Sequence, residues 1–158
     1  MHVTKIATLN INGITALTRV GTLSKFIKRH ELDILFLQEV TNPVVLNFRG
    51  YETHHNIRTS MRGTAILVRN VTPITIKHKL PSGRNMSAEY NGLRLINVYT
   101  PSGSAWRTER EKFFNTELPA FFYTALSHTI LGDFNCVLNP ADTTGPFQPS
   151  RALSEIVT

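Results

Sequence analysis

The sequence predicts a mixed α/β protein with helices packed outside sheets, and three features carry that prediction. Apolar runs of strand length recur along the chain, two stretches of helical period interrupt them, and the order is strand, helix, strand, several strands, helix, strand. At 158 residues, 41% hydrophobic and 18% charged, the composition is that of one globular domain with a single core.

Lys5 to Asn12 (KIATLNIN) is a short apolar run ended by Gly13 and reads as a buried strand. Leu17, Val20, Leu23 and Ile27 then recur at helical spacing with Lys25, Lys28 and Arg29 between them, so one helix face can pack on a sheet. Asp33 to Val40 (DILFLQEV), closed by Pro43, is too short for a typical helix and reads as a strand buried on both faces. Beyond it the chain turns basic and polar. Gly63 to Asn70 and Thr72 to Leu80 are the next strands; in the second, Ile74, Ile76, His78 and Leu80 alternate with Thr75, Lys77 and Lys79. Asn91-Gly92 signals a hairpin, since a type I′ turn needs positive φ at both central residues. It leads into the strand Leu93 to Tyr99. Trp106, Arg110, Phe113, Phe114 and Leu118 suggest a second helix limited by Pro119, and His128 to Val137 is the last strand. Pro149 to Thr158 reads as the start of a helix without a stop signal, which predicts a domain incomplete at its C-terminus.

Several function classes are disfavoured by composition. No stretch approaches the roughly 18 apolar residues that a membrane span requires. The N-terminus lacks a signal-peptide layout. An intracellular protein with no membrane partner is the expectation. The single cysteine, Cys136, excludes an internal disulfide and reads as a small packing residue. Positive charge is concentrated between Asn42 and Ala88, where Arg49, Arg58, Arg62, Arg69, Lys77, Lys79 and Arg84 face one acid, Glu52. Such a window attracts polyanions through counterion release, or is simply a solvated basic face.

Four strand-like runs end in polar residues: Asn10 and Asn12, Gln38 and Glu39, Asn97 and Tyr99, Asp133 and Asn135. Burying a carboxylate among apolar neighbours costs several kcal/mol unless something compensates it, so Glu39 and Asp133 require a reason. Singly, Glu39 reads equally as a strand end turned to water, Asn12-Gly13 as a turn, Asp133 as part of an Asx-type loop and Tyr99 as a core aromatic. Together they converge on one rim if the strands lie side by side. Two acids with several amides match what Mg²⁺ takes from proteins: few carboxylate oxygens, with water and phosphate completing the shell.

The segments TLNINGI, FLQEV, GTAILV, NVYTPSG and LGDFN, in this order, resemble the endonuclease/exonuclease/phosphatase superfamily, the DNase I-like fold. The spelling INVYTPSGSAWRTEREKFF and ILGDFNCVLNPADTTG is most similar to endonuclease domains of non-LTR (LINE-type) retrotransposons. The resemblance implies a four-layer α/β sandwich, present here as its N-terminal part, namely the first sheet, its helices and the start of the second half. A first sheet left alone would expose its inner apolar face. It implies Mg²⁺, or Mn²⁺, as cofactor, DNA as substrate, fusion to a reverse transcriptase in a longer element, and nuclear location. Asn10 would help hold metal and phosphate, and Glu39 would bind the metal. Tyr99 would contact the scissile phosphate, Asp133 would orient or deprotonate the attacking water, and Asn135 would stabilise the transition state. Asn12 stands where repair enzymes typically carry aspartate. Arg62, Arg107 and Arg110 are candidates for flanking phosphates, or else surface arginines. The family's C-terminal Ser-Asp-His segment has no counterpart among the six histidines, which read as surface or packing residues, so reduced activity is expected. Two other readings stay open: a phosphodiesterase or phosphatase acting on RNA, inositol phosphate or phospholipid, and a non-catalytic nucleic-acid-binding remnant.

Overall fold

The computed structural model describes residues 2–14, 17–58, 62–100, 102–122, 127–137 and 139–145. The chain divides into two compact units, Met1–Tyr99 with Leu126–Asp133, and Thr100–Ala125 with Phe134–Thr158.

The first unit holds eight strands in two four-stranded sheets. They are β1 (Ile6–Asn10), β2 (Ile34–Val40), β3 (Tyr51–Asn56), β4 (Gly63–Arg69), β5 (Thr75–Lys79), β6 (Asn85–Tyr90), β7 (Leu93–Tyr99) and β8 (Ser127–Asp133). Sheet one runs β1-β2-β4-β3 and sheet two β5-β6-β7-β8. Each pairs its β1–β2 or β7–β8 strands in parallel and the rest antiparallel. Because side chains alternate along a strand, β2 and β4 present two apolar faces. Leu35, Leu37, Ala65 and Leu67 pack under helix α1 (Leu17–His30), against Leu23 and Ile27. Ile34, Phe36, Ile66 and Val68 pack against Met86, Ala88 and Leu95 of sheet two.

That second contact corrects one expectation. The inner face of sheet one is covered, because residues up to Asp133 already supply four strands of an opposing sheet. The mixed α/β, two-sheet class itself is as predicted. β1 is an edge strand and half-exposed where a buried strand was expected, since only β2 flanks it. The alternation read for residues 72–80 breaks at a register shift between Ile76 and His78. Asn91 and Gly92 take φ of 48° and 71°, the left-handed pair that the hairpin requires.

In the second unit, a 3₁₀ turn (Ser104–Trp106) leads into α2 (Arg107–Lys112), which continues as a π turn (Phe113–Glu117) and a 3₁₀ turn (Pro119–Phe121). Phe113, Phe114, Leu118 and Phe121 are buried, and the Phe114 and Phe134 rings stack at 6.4 Å. The helix expected over Pro149–Thr158 lies outside the described residues.

Candidate active site

Three of the sequence-predicted residues meet at the ends of β1, β2 and β8. The Asn10 amide nitrogen donates to Glu39 Oε1 at 2.9 Å and to Asp133 Oδ2 at 2.8 Å, so one side chain uses both its protons on two carboxylates. Its oxygen accepts from the Asn12 backbone at 2.9 Å. Local sequence explains how this is reached. Glu39 has φ of 56° at a β-bulge between Gln38 and Val40, which frees its carboxylate from strand alternation. Left-handed backbone costs a non-glycine residue roughly 1–2 kcal/mol, and such strain gathers at functional sites. Asn12 also sits at positive φ, as asparagine tolerates, in the turn that follows β1.

Gly132 aims Asp133. A Cβ on Gly132 would fall 1.9 Å from the Val98 carbonyl oxygen, so the approach of β8 to β7 admits only glycine there. The same parallel register pairs Asp133 with Tyr99. Arg62 donates to Glu39 Oε2 and, at 2.8 Å, to Asn12 Oδ1. Its partners here are therefore site residues, and it bridges Asn12 to Glu39.

Arg84 is the residue that sequence reasoning missed. Its guanidinium lies 5.1 Å from the centroid of the Tyr99 ring, and among the described residues its buried Nη1 has no hydrogen-bond partner. A cation over a ring gains about 0.5–2 kcal/mol, yet an unpaired buried donor costs about 1–3 kcal/mol, so stability alone does not account for Arg84 there. The only sequence signal was membership of the basic window. That window is in part neutralised from outside itself: Arg62 by Glu39, Arg69 by Asp33 at 3.5 Å and Lys77 by Glu89 at 3.3 Å.

Asn135, Arg107 and Arg110 belong to the second unit. There, Asn135 at φ of 46° donates to the Thr100 carbonyl at 2.7 Å, Arg110 donates to the Gly103 carbonyl at 3.2 Å, and Arg107 is exposed at the start of α2. None of the histidines in the described residues is fully buried, and Cys136 is half-buried.

The donor set fits a hard dication. Two carboxylates held to one amide repel each other, and their oxygens are the ligands that Mg²⁺ or Mn²⁺ accepts. Among the described residues no group of three or more His, Cys, Asp and Glu side chains is placed to hold a metal ion.

A family model described as the Endonuclease/Exonuclease/phosphatase family matches residues 7–153. No curated protein sequence matches the chain significantly. Among solved structures, an AP endonuclease from Archaeoglobus fulgidus is 22% identical with a TM-score of 0.79, over 98% of this chain and 70% of that one. The 3'-5' exonuclease NExo from Neisseria meningitidis is 26% identical with a TM-score of 0.68, over 88% and 60%. TDP2 from D. rerio, complexed with a single-strand DNA product, is 18% identical with a TM-score of 0.63, over 85% and 61%. The chain thus spans between 60% and 70% of the length of these structures.

Proposed function

We propose that this chain, which belongs to the endonuclease/exonuclease/phosphatase family, hydrolyses phosphodiester bonds of DNA with the help of a divalent cation. The observation that carries the reading is the double donation from Asn10 to Glu39 and Asp133, with the Arg84 guanidinium over the ring of Tyr99, the register partner of Asp133. A phosphodiester is anionic and repels hydroxide, so the site has to neutralise the phosphate and aim the water. Glu39, with Asn10 beside it, would hold the cation. When bound, such a cation draws charge from the phosphate oxygens and steadies the leaving oxygen.

The remaining work falls to the chain's own side chains. Asp133, oriented by the Asn10 amide, accepts a proton from the attacking water. Tyr99 donates its hydroxyl to a phosphate oxygen, and Arg84 supplies Nη1 to the same group. Arg62, which contacts Glu39 here, would face a neighbouring phosphate where Glu39 instead holds the cation. Asn135 would stabilise charge in the transition state, and Arg107 and Arg110 would contact flanking phosphates. DNA is favoured over lipid or inositol phosphates by the retrotransposon-like spelling of Ile96 to Phe114 and by the similarity to TDP2 from D. rerio, which is complexed with a single-strand DNA product. In a longer element fused to reverse transcriptase, the chain would nick nuclear target DNA to prime synthesis.

The test is conversion of supercoiled plasmid to open circle in Mg²⁺. Wild type is expected to nick, and Glu39→Ala and Asp133→Ala are each expected to lower the rate by about 10²–10³-fold. Salt-sensitive DNA binding without nicking would select the non-catalytic reading. Hydrolysis confined to inositol phosphates or lipids would select the other enzyme reading.

A further inference from the structure

We propose that Gln38 and Asn97 form a buried amide clamp that positions the residues of the site, an inference that rests on the function just proposed. Both side chains lie between the sheets, 1% and 0% exposed. Gln38 Nε2 donates to Asn97 Oδ1 at 2.8 Å and to Thr8 Oγ1 at 2.9 Å. Asn97 Nδ2 donates to the Leu37 carbonyl at 3.1 Å and the Ala65 carbonyl at 2.9 Å. Every amide proton of the pair is used, and β1, β2, β4 and β7 are joined at one level.

The level is set by the site. Thr8 lies two residues before Asn10, Gln38 one before Glu39 and Asn97 two before Tyr99. Asn97 is also the register partner of Leu131, two before Asp133. Leu37 and Ala65 are register partners shortly before the bulge that interrupts the β2–β4 ladder, and Asn97 ties both of their carbonyls to β7 there. The surrounding layer is Phe36, Ile66, Met86 and Leu95; an apolar pair there would forgo the Gln38–Asn97 bond at little cost, but it would take the side-chain donor from the Leu37 and Ala65 carbonyls, so the clamp contributes to stability as well. What an amide clamp adds is a fixed separation between strands. Catalysis is sensitive to that separation at the level of 1 Å.

The paired variant Gln38→Met/Asn97→Leu removes the clamp and keeps the volume. In the full 158-residue chain we expect it to melt cooperatively, to lose about 10–100-fold in kcat, and to change KM by less than about twofold, as a positioning defect does. Thr8→Val leaves one buried Gln38 proton without its acceptor and should lower kcat by about fivefold, with a drop in melting temperature that stays small enough for the chain to remain folded. A second readout needs no activity. The Asn10 side-chain NH₂ resonances should be sharp and dispersed in wild type, and should broaden or move in both variants. If wild type fails to nick plasmid, the functional reading falls and the NH₂ resonances alone decide the clamp. If the paired variant does not fold, Thr8→Val decides. Wild-type kcat with unmoved Asn10 resonances in the variant that decides would overturn the proposal.

Discussion

Glycine 132 shows most plainly how single residues build this site. Its Cβ position is already taken by the Val98 carbonyl oxygen, so Gly132→Ala must push β8 from β7 or fail to fold. We expect a loss of at least about 3 kcal/mol in urea unfolding. Arg84 offers the opposite contrast. If it awaits a phosphate, Arg84→Met should weaken nicking by about tenfold or more while stability holds or rises, because a buried orphaned donor is removed; a large stability loss with full activity would make it structural. Asn10, Glu39 and Asp133 were legible because each is a polar residue closing an apolar run, a local conflict visible in the sequence. Arg84 was not. What distinguishes it is the Tyr99 ring, supplied by pairing with a strand that follows a hairpin, and nothing beside it in the chain announces that contact.

Elements were legible where one physical pattern dominated. Helix α1 follows its apolar period to a close at Glu31, whose φ is 49°, with Leu32 N–H bonded to the Ile27 carbonyl at 3.2 Å. Glycine is the natural occupant of that position, so Glu31→Gly is expected to raise stability by about 1 kcal/mol in thermal or urea unfolding. The exposed ion pair with Lys5 that is lost contributes little against it. β3 went unread, because YETHHN has no apolar alternation. It is a strand only because β4, buried and central, offers it a free ladder edge. The β3 residue His55 has its pKa lowered, first by burial and then by the charges of Lys79 and His54. The unfolded chain therefore binds this proton more readily, and stability should fall as pH drops through the ordinary histidine range. His55→Gln should flatten that fall when unfolding is compared at pH 7.5 and pH 5; an unchanged slope would remove His55 from the account.

Across the molecule, the sequence carried the class of fold but not the partition of its strands. Family resemblance implied the first sheet, its helices and the start of the second half; that start already amounts to a four-stranded sheet before residue 134, and the inner faces of the two sheets close on each other. Which strands pair is decided by long-range contacts, and the apolar runs alone leave that choice open. Phe36, buried in the shared layer, is the test of that closure: Phe36→Ala should cost about 3–5 kcal/mol in unfolding free energy. The same closure brings β1, β2 and β8 to one rim, and the account stands or falls on what that rim binds. The direct measurement is anomalous diffraction from crystals of the full chain grown with Mn²⁺. The expected result is one strong peak within coordination distance of a Glu39 carboxylate oxygen, lost in Glu39→Gln. Peaks only elsewhere, or none at millimolar Mn²⁺, would contradict the proposed cation site.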